Sequence, residues 1–523
     1  MLISLSAIGF ILGLFFLSKA GGPWIDISRD EDAKKIEEYW IQTGLGAQEL
    51  TRLVSNVKCQ SSKKYYQACL NAVIEGSLHF KRKISLQGGH LSRLKNTEFL
   101  DEKSEKDLLN FYASKIEHID FSSILAELVD LEVESKRPRL YAQLINSFLS
   151  VYADPHTYIL PEKFYDEVGS KIKRSKYFVG IAYEKMNGTF YIRKIFKNSD
   201  AESSGLMMND KILSLNSVDL KNAQNNDLSL FLTDETSPVL KFKIERNNNI
   251  IDIEVKRSYK QLSHVQFNRY HNAVNGKNFG LLTLTKFNSD TCRAVTDQLN
   301  RIKKDKLSGL VLDLRDNPGG QLDEASCIVG LFLGKNKIAY SVEYFSDLKQ
   351  DEVVLTSQDQ RYGGPLVVLV NGSSASASEL VAGALQEYGR ALIVGERTYG
   401  KGTFQEPELW DLNPKVKLFK TQGLYLLPSG NSTQLVGVKP DIELPPAYEI
   451  KREEQIYFNP ILVQPEKYHR PKKATQRAFV YNPCRQIDQI KHVDYYLQEG
   501  LNYLSCVRST NLAAVGLVET SPR

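Results

Sequence analysis

Histidine is scarce in this chain, with eight in 523 residues and none between His271 and His469. A serine nucleophile inside that interval has no local imidazole to take its proton. No Cys-x-x-Cys and no His-Glu-x-x-His occurs, which argues against a zinc site. A Gly-x-Gly-x-x-Gly fingerprint is missing, as are any basic block and any detectable repeat. Dinucleotide and nucleic-acid readings therefore have no support. The net charge is only +5. What remains is an ordinary globular composition, long enough for three or four domains.

The amino terminus departs from that composition. Leu2 to Leu17 is almost wholly apolar, and Ser18-Lys-Ala20 before Gly21-Gly22 offers a cleavage point after Ala20. This reads as a secretory signal peptide over residues 1–20. Sixteen helical residues span roughly 24 Å, short of a hydrocarbon core of about 30 Å. The n-region lacks Lys and Arg, so an uncleaved anchor through residues 2–17 stays open. Either way the chain is exported, with the bacterial periplasm as the expected location. Six cysteines in an exported chain permit disulfides. Cys59 and Cys69 form the easiest local pair. Cys484 and Cys506 would lie about 33 Å apart on one helix, and could pair only if Gly500 or another break turns the chain. Cys292 and Cys327 fall inside regular elements and read as buried thiols.

Residues 21–175 carry helical periodicity, in Ile36–Ile41, Leu108–Ile116 and Leu125–Leu149. Tyr152-Ala-Asp-Pro-His-Thr-Tyr-Ile-Leu-Pro161 is a turn-rich connector, where His156 reads as structural. Residues 176–262 change to short strands around Met186-Asn-Gly188 and Asn247-Asn-Asn249. In order and spacing this stretch looks like a PDZ domain. Its carboxylate-binding loop would be Tyr177, Phe178, Val179, Gly180 and Ile181. The alternative is a β module that only packs on the core. Asn209 stands where such domains commonly carry Gly, and Asn tolerates positive φ. From residue 263 to 450 the pattern is α/β, and residues 451–523 are again helical over Cys484–Val507.

The serine cluster Asn371-Gly-Ser-Ser-Ala-Ser-Ala-Ser-Glu379 follows the apolar strand Pro365–Val370 and precedes a helix. A strand-to-helix turn bares N–H groups that can hold an oxyanion. With no histidine near, lysine is the base that remains, provided burial brings its pKa from about 10.4 towards neutrality.

Five ordered segments now carry a resemblance. They are Asp154-Pro-His-Thr157, Leu312-Asp-Leu-Arg-Asp-Asn-Pro-Gly-Gly320, Ser374–Glu379, Val394-Gly-Glu-Arg-Thr-Tyr-Gly-Lys-Gly-Thr403, and Pro428-Ser-Gly430 with Pro440-Asp-Ile442. Together with the PDZ-like module they resemble the carboxy-terminal processing (tail-specific) proteases over residues 150–445. The resemblance implies an α/β multidomain protein. Its Clp protease/crotonase-like core would carry an inserted PDZ domain and helical flanks, with no cofactor and no metal. It also implies Ser376 as nucleophile and Lys401 as base, 25 positions on (401 − 376). Gln405 would orient the lysine, one helical-looking turn further. Gly319, Gly320 and Ala377 would supply oxyanion N–H groups, and Glu379, Thr398, Asp313 and Arg315 would support the geometry. The implied partners are protein or peptide substrates held by their C-termini, with membrane proximity open. A non-enzymatic PDZ adaptor and a crotonase-like acyl-CoA enzyme are the rivals. Neither needs the Ser/Lys pair.

Overall fold

The computed structural model describes residues 38–56, 137–169, 179–221, 238–257, 264–446, 479–483 and 495–509, apart from single positions and short gaps within these ranges, together with isolated short pieces. The signal segment, the Cys59/Cys69 pair, the 108–116 helix, Tyr177 and Phe178 lie outside the described residues. The chain divides into two compact units, one of Met1–Leu262 with Gln405–Thr421 and one of Ser263–Phe404 with Gln422–Arg523.

In the first unit, helices Ala47–Asn56, Arg137–Tyr152 and Glu162–Gly169 accompany the short strand Tyr158–Pro161. That strand pairs antiparallel with Val416–Phe419, so that Tyr158 faces Phe419. The PDZ-like stretch forms an antiparallel sheet of Ile181–Met186, Thr189–Ile195, Lys211–Leu215, Val239–Arg246 and Asn249–Lys256, in that order. Period-two patterning drives it: Leu240, Phe242 and Ile244 are buried while Lys241 and Lys243 face water. Asn247 and Asn248 both take positive φ, the conformation a two-residue hairpin turn needs. Asn209 does so too, at φ 67°. Beside it the buried Asp210 carboxylate accepts from Arg246 Nε (2.6 Å) and Nη2 (2.7 Å), a bidentate pairing.

In the second unit a six-stranded sheet runs Val265–Asn272, Lys277–Leu284, Gly309–Asp313, Leu366–Val370, Leu392–Gly395, Ile442–Glu443. All pairs after the first are parallel. A parallel sheet is buried on both faces, which explains the unbroken apolar run Leu366–Val370. Leu366, Val368 and Val370 join the core beneath helices Thr291–Ile302, Leu322–Leu333 and Ala377–Glu387. Val367 and Leu369 face the other way, onto Leu497, Leu501 and Leu504 of helix Tyr495–Ser505. Gly500 is therefore no break. It sits inside that helix, where a Cβ would stand 3.2 Å from Leu369 Cδ2, so it allows close approach to the sheet.

The cysteines correct one expectation. Cys292 and Cys327 are not thiols but a disulfide, with Cα atoms 6.1 Å apart. Each lies on the helix that follows a parallel strand, and right-handed crossovers lay such helices side by side. Cys506 is also disulfide-bonded.

Candidate active site

Three loops leave the carboxyl ends of the parallel strands, where open α/β sheets place their ligands. The strand Leu366–Val370 leads into Asn371, and the helix Ala377–Glu387 begins six residues after that asparagine. Between them Ser376 takes φ 54°, ψ −118°, a conformation that costs on the order of 1–3 kcal/mol and marks functional turns. Its neighbours are occupied. Ser374 Oγ donates to Leu314 O (2.8 Å) and accepts from Asn371 N–H (3.0 Å). Ser378 Oγ donates to Asn317 O (2.8 Å). Both hydroxyls are spent on backbone, so the turn is built around Ser376.

Lys401 is 1% exposed, the surroundings a lysine base requires. One carboxylate holds its backbone and that of the serine. Glu379 Oε2 accepts from Ser376 N–H (2.8 Å) and Lys401 N–H (2.9 Å). Its Oε1 accepts from Gly400 N–H (2.7 Å) and the Thr398 hydroxyl (2.6 Å). Burial pushes the Glu379 carboxyl up to about 7, against the lowering effect of those four hydrogen bonds. On the carbonyl side, the Tyr425 hydroxyl lies 3.1 Å from Ser376 O, 2.9 Å from Lys401 O and 2.6 Å from Thr433 Oγ1. Burial first, and the Glu379 charge second, raise the Tyr425 pKa well above its ordinary value, so it stays a donor.

The Asp316–Gly320 turn packs directly on this elbow. A Cβ on Gly319, at φ +99°, would stand 2.8 Å from Ser376 Cβ and 2.9 Å from Ala377 N. Only glycine permits that approach. Asn317 staples the turn: its Nδ2 donates to Leu284 O and its carbonyl accepts from Ala375 N–H. Its Oδ1 also accepts from Gly319 N–H at 2.9 Å. The Gly319 N–H expected to face an oxyanion is thus engaged by the Asn317 side chain in this structure. Ala377 stands in the first turn of its helix, where backbone N–H groups have no partner within the helix. Arg315 grips Asp313 through Nε (2.8 Å) and Nη2 (2.7 Å). The turn itself is held by Asn371, whose side chain accepts from Asp316 N–H and donates to Asp316 Oδ1.

Gln405 lies in the first unit, on strand Thr403–Trp410 rather than on a helical turn. A strand follows from Thr403 and Phe404, which favour it, and Pro407, which forbids a helix there. In the PDZ-like module, Val179 accepts from Ala201 N–H (2.9 Å), and Gly180 (φ +92°) packs on Ser199. Asn317, Asn371, Tyr425 and Thr433 were not singled out by the sequence. They are common residue types on separate segments, and only the fold collects them.

The comparisons with known proteins fall on the same loops. Residues 278–444 match the model of peptidase family S41. This segment is a peptidase S41 domain. It contains the Asp316–Gly320 turn, the Ser376 elbow, Lys401 and Tyr425. The carboxy-terminal processing protease CtpA of Bacillus subtilis is 29% identical over 304 residues, which are 58% of this chain and 63% of that one. A probable CtpA-like serine protease of Staphylococcus aureus is 28% identical over 309 residues, 58% and 60% respectively. The chain thus spans about three fifths of the length of the curated relatives it matches. Among solved structures, the photosystem II D1 C-terminal processing protease is 21% identical with a TM-score of 0.42, covering 74% of this chain and 96% of that one. A putative S41 protease from Bacteroides fragilis gives 18% and 0.41, covering 54% and 82%.

Proposed function

We propose that the chain is an exported serine endopeptidase that recognises protein C-termini through its PDZ-like module and cleaves peptide bonds with Ser376 and Lys401. The observation that carries this reading is the shared carboxylate. Glu379 binds the backbone N–H of both residues, and the serine stands in a strained elbow where the flanking Ser374 and Ser378 hydroxyls are committed to backbone carbonyls. Neither an adaptor nor an acyl-CoA enzyme has use for such an arrangement.

In this reading Ser376 Oγ attacks the scissile carbonyl carbon and its proton passes to the neutral Lys401 amine. Ala377 and Gly320 N–H groups stabilise the oxyanion, each donor worth about 10²–10³ in rate. The lysine ammonium then protonates the departing amine, and water attacks the acyl ester with Lys401 again as base. Gln405 orients the lysine amine without adding charge. The PDZ-like sheet would take the substrate tail as an added strand.

The test is labelling by a fluorophosphonate together with cleavage of an unfolded protein. Ser376→Ala and Lys401→Ala should each abolish cleavage, since members of one catalytic unit are not additive. Lys401→Arg should not rescue, because arginine stays protonated. A Ser376→Ala protein that still cleaves would end the proposal.

A further inference from the structure

The loop that carries Lys401 is held by more than Glu379. Arg397 to Gly402 form neither helix nor strand, so the loop takes its path from what its backbone touches. Each N–H from Thr398 to Gly402 has an acceptor. Thr398 and Tyr399 donate to Val438 O (3.2 Å) and Ser374 O (3.0 Å). Gly400 and Lys401 donate to Glu379. Gly402 donates to the side-chain oxygen of Gln434, 2.8 Å away.

Gln434 is buried, and its amide has one orientation. A backbone N–H can only donate, so the amide oxygen faces Gly402 and both hydrogens of the NH₂ are left for other acceptors. They go to Glu453 Oε1 (2.6 Å) and Ile461 O (3.2 Å). Glu453 is itself fully buried, and its N–H donates to Tyr399 O (3.3 Å). The loop is thus tied to Glu453 on both sides of the lysine, directly at Tyr399 and through Gln434 at Gly402. Leu435, next to Gln434, takes φ 64° and donates its N–H to Gly400 O at 2.7 Å. A leucine holds the left-handed region only where its surroundings over-determine it, and the anchored Gln434 supplies that constraint. All of these residues belong to the second unit. Glu453 nevertheless lies beyond residues 278–444, which match the S41 family.

We infer that Glu453 is a positioning residue, which through Gln434 and Tyr399 fixes the path of the Lys401 loop, so that the carboxy-terminal flank completes the site of the peptidase domain. The inference rests on the Ser376/Lys401 reading. A general base works only while its nitrogen stays within hydrogen-bond reach of the proton it takes. A displacement of about 1 Å can cost about 100-fold in rate. A carboxylate that only fastened the flank to the core would change stability and leave the turnover of the folded enzyme alone.

The experiment is a double-mutant cycle of Glu453 and Gln434 on the full chain. It reads kcat per folded molecule and KM for an unfolded protein substrate, the rate of fluorophosphonate labelling, and thermal unfolding. Glu453→Ala keeps the backbone N–H and removes the acceptor for Gln434. It should lower kcat and the labelling rate about tenfold or more, with KM little changed. Glu453→Gln keeps an acceptor at the same reach and should restore most of the rate. Gln434→Met keeps the length of the side chain without its amide and should match Glu453→Ala. The two changes together should cost little more than either alone. If Glu453→Ala fails to fold, Glu453→Gln and Gln434→Met decide the matter between them, the first expected near wild type and the second slow. Wild-type kcat in folded Glu453→Ala or Gln434→Met, or losses that multiply in the double variant, would overturn the inference. Activity surviving in Lys401→Ala would instead remove the reading beneath it.

Discussion

Ser374, Ser376 and Ser378 are all buried, and it is their partners that separate them. Two donate to backbone carbonyls across loops, to Leu314 and to Asn317. Ser374→Ala and Ser378→Ala should therefore keep cleavage activity while each costs about 1 kcal/mol of stability, read as a shift in denaturant midpoint. Ser376→Ala should show the reverse pattern. Glu379 gives a second residue-scale test, because stability and activity should move in opposite directions with pH. Its folded pKa of about 7 lies above the ordinary 4.5. The folded state thus binds this proton more tightly, and the stability it contributes is full below about pH 4.5 and lost as pH rises through about 7. At about 1.4 kcal/mol per pKa unit the change is on the order of 3 kcal/mol. Glu379→Gln should remove that pH dependence in denaturant unfolding at pH 5 and pH 8. Cleavage by the wild type should instead rise over the same window, because the ionised carboxylate is what accepts all four hydrogen bonds. Equal pH dependence in both proteins would show that Glu379 does not titrate there. Ser376 and Lys401 could be named as candidates from the sequence because their motifs are local. The acceptors that leave Ser376 singular could not, since Leu314 and Asn317 are about 60 positions away and contribute only backbone carbonyls.

At the scale of elements, the α/β character of the core could be read from its apolar runs, and the strand Leu366–Val370 lies within a residue of the run Pro365–Val370. Two features went the other way. Gln405 sits on a strand because β-propensity and Pro407 prevail over the short spacing from Lys401. Cys292 and Cys327 are bridged because two helices 35 positions apart in sequence lie side by side, which periodicity cannot show. Closing a loop of that separation is worth about 3–4 kcal/mol in the chain-entropy account. Cys292→Ala with Cys327→Ala should therefore lower the unfolding temperature, and reductant should lower it less in the double variant than in the wild type, because only the Cys506 bridge among the described residues is left to reduce. In the PDZ-like module the sensitive point is Gly180, where a Cβ would fall 2.0 Å from Ser199 Cβ. Ser199 caps the helix Asp200–Ser203. Gly180→Val should thus unfold this module by proteolysis or hydrogen exchange rather than merely retune a loop, while Ser376 continues to react with a small fluorophosphonate.

At the scale of the whole molecule, the proposal joins two activities, tail recognition in the first unit and hydrolysis in the second. The two halves can be separated by chemistry at the substrate end. A PDZ groove holds the terminal carboxylate with backbone N–H groups and the last side chain in an apolar pocket. Amidation removes the charge and leaves the side chain, while a terminal Asp places a second charge at the apolar pocket. One unfolded protein should therefore be cleaved fastest with a free-acid tail ending in a small apolar residue, and more slowly when that tail is amidated or ends in Asp. The difference should appear in KM and fade at saturating substrate, because the interaction is made equally in ground and transition states. The Gly180→Val protein should lose this selectivity while keeping its fluorophosphonate labelling rate. Equal KM for free-acid and amidated tails would remove the recognition half of the proposal. The elbow at Ser376 would remain a hydrolytic site that selects its substrates by some other surface.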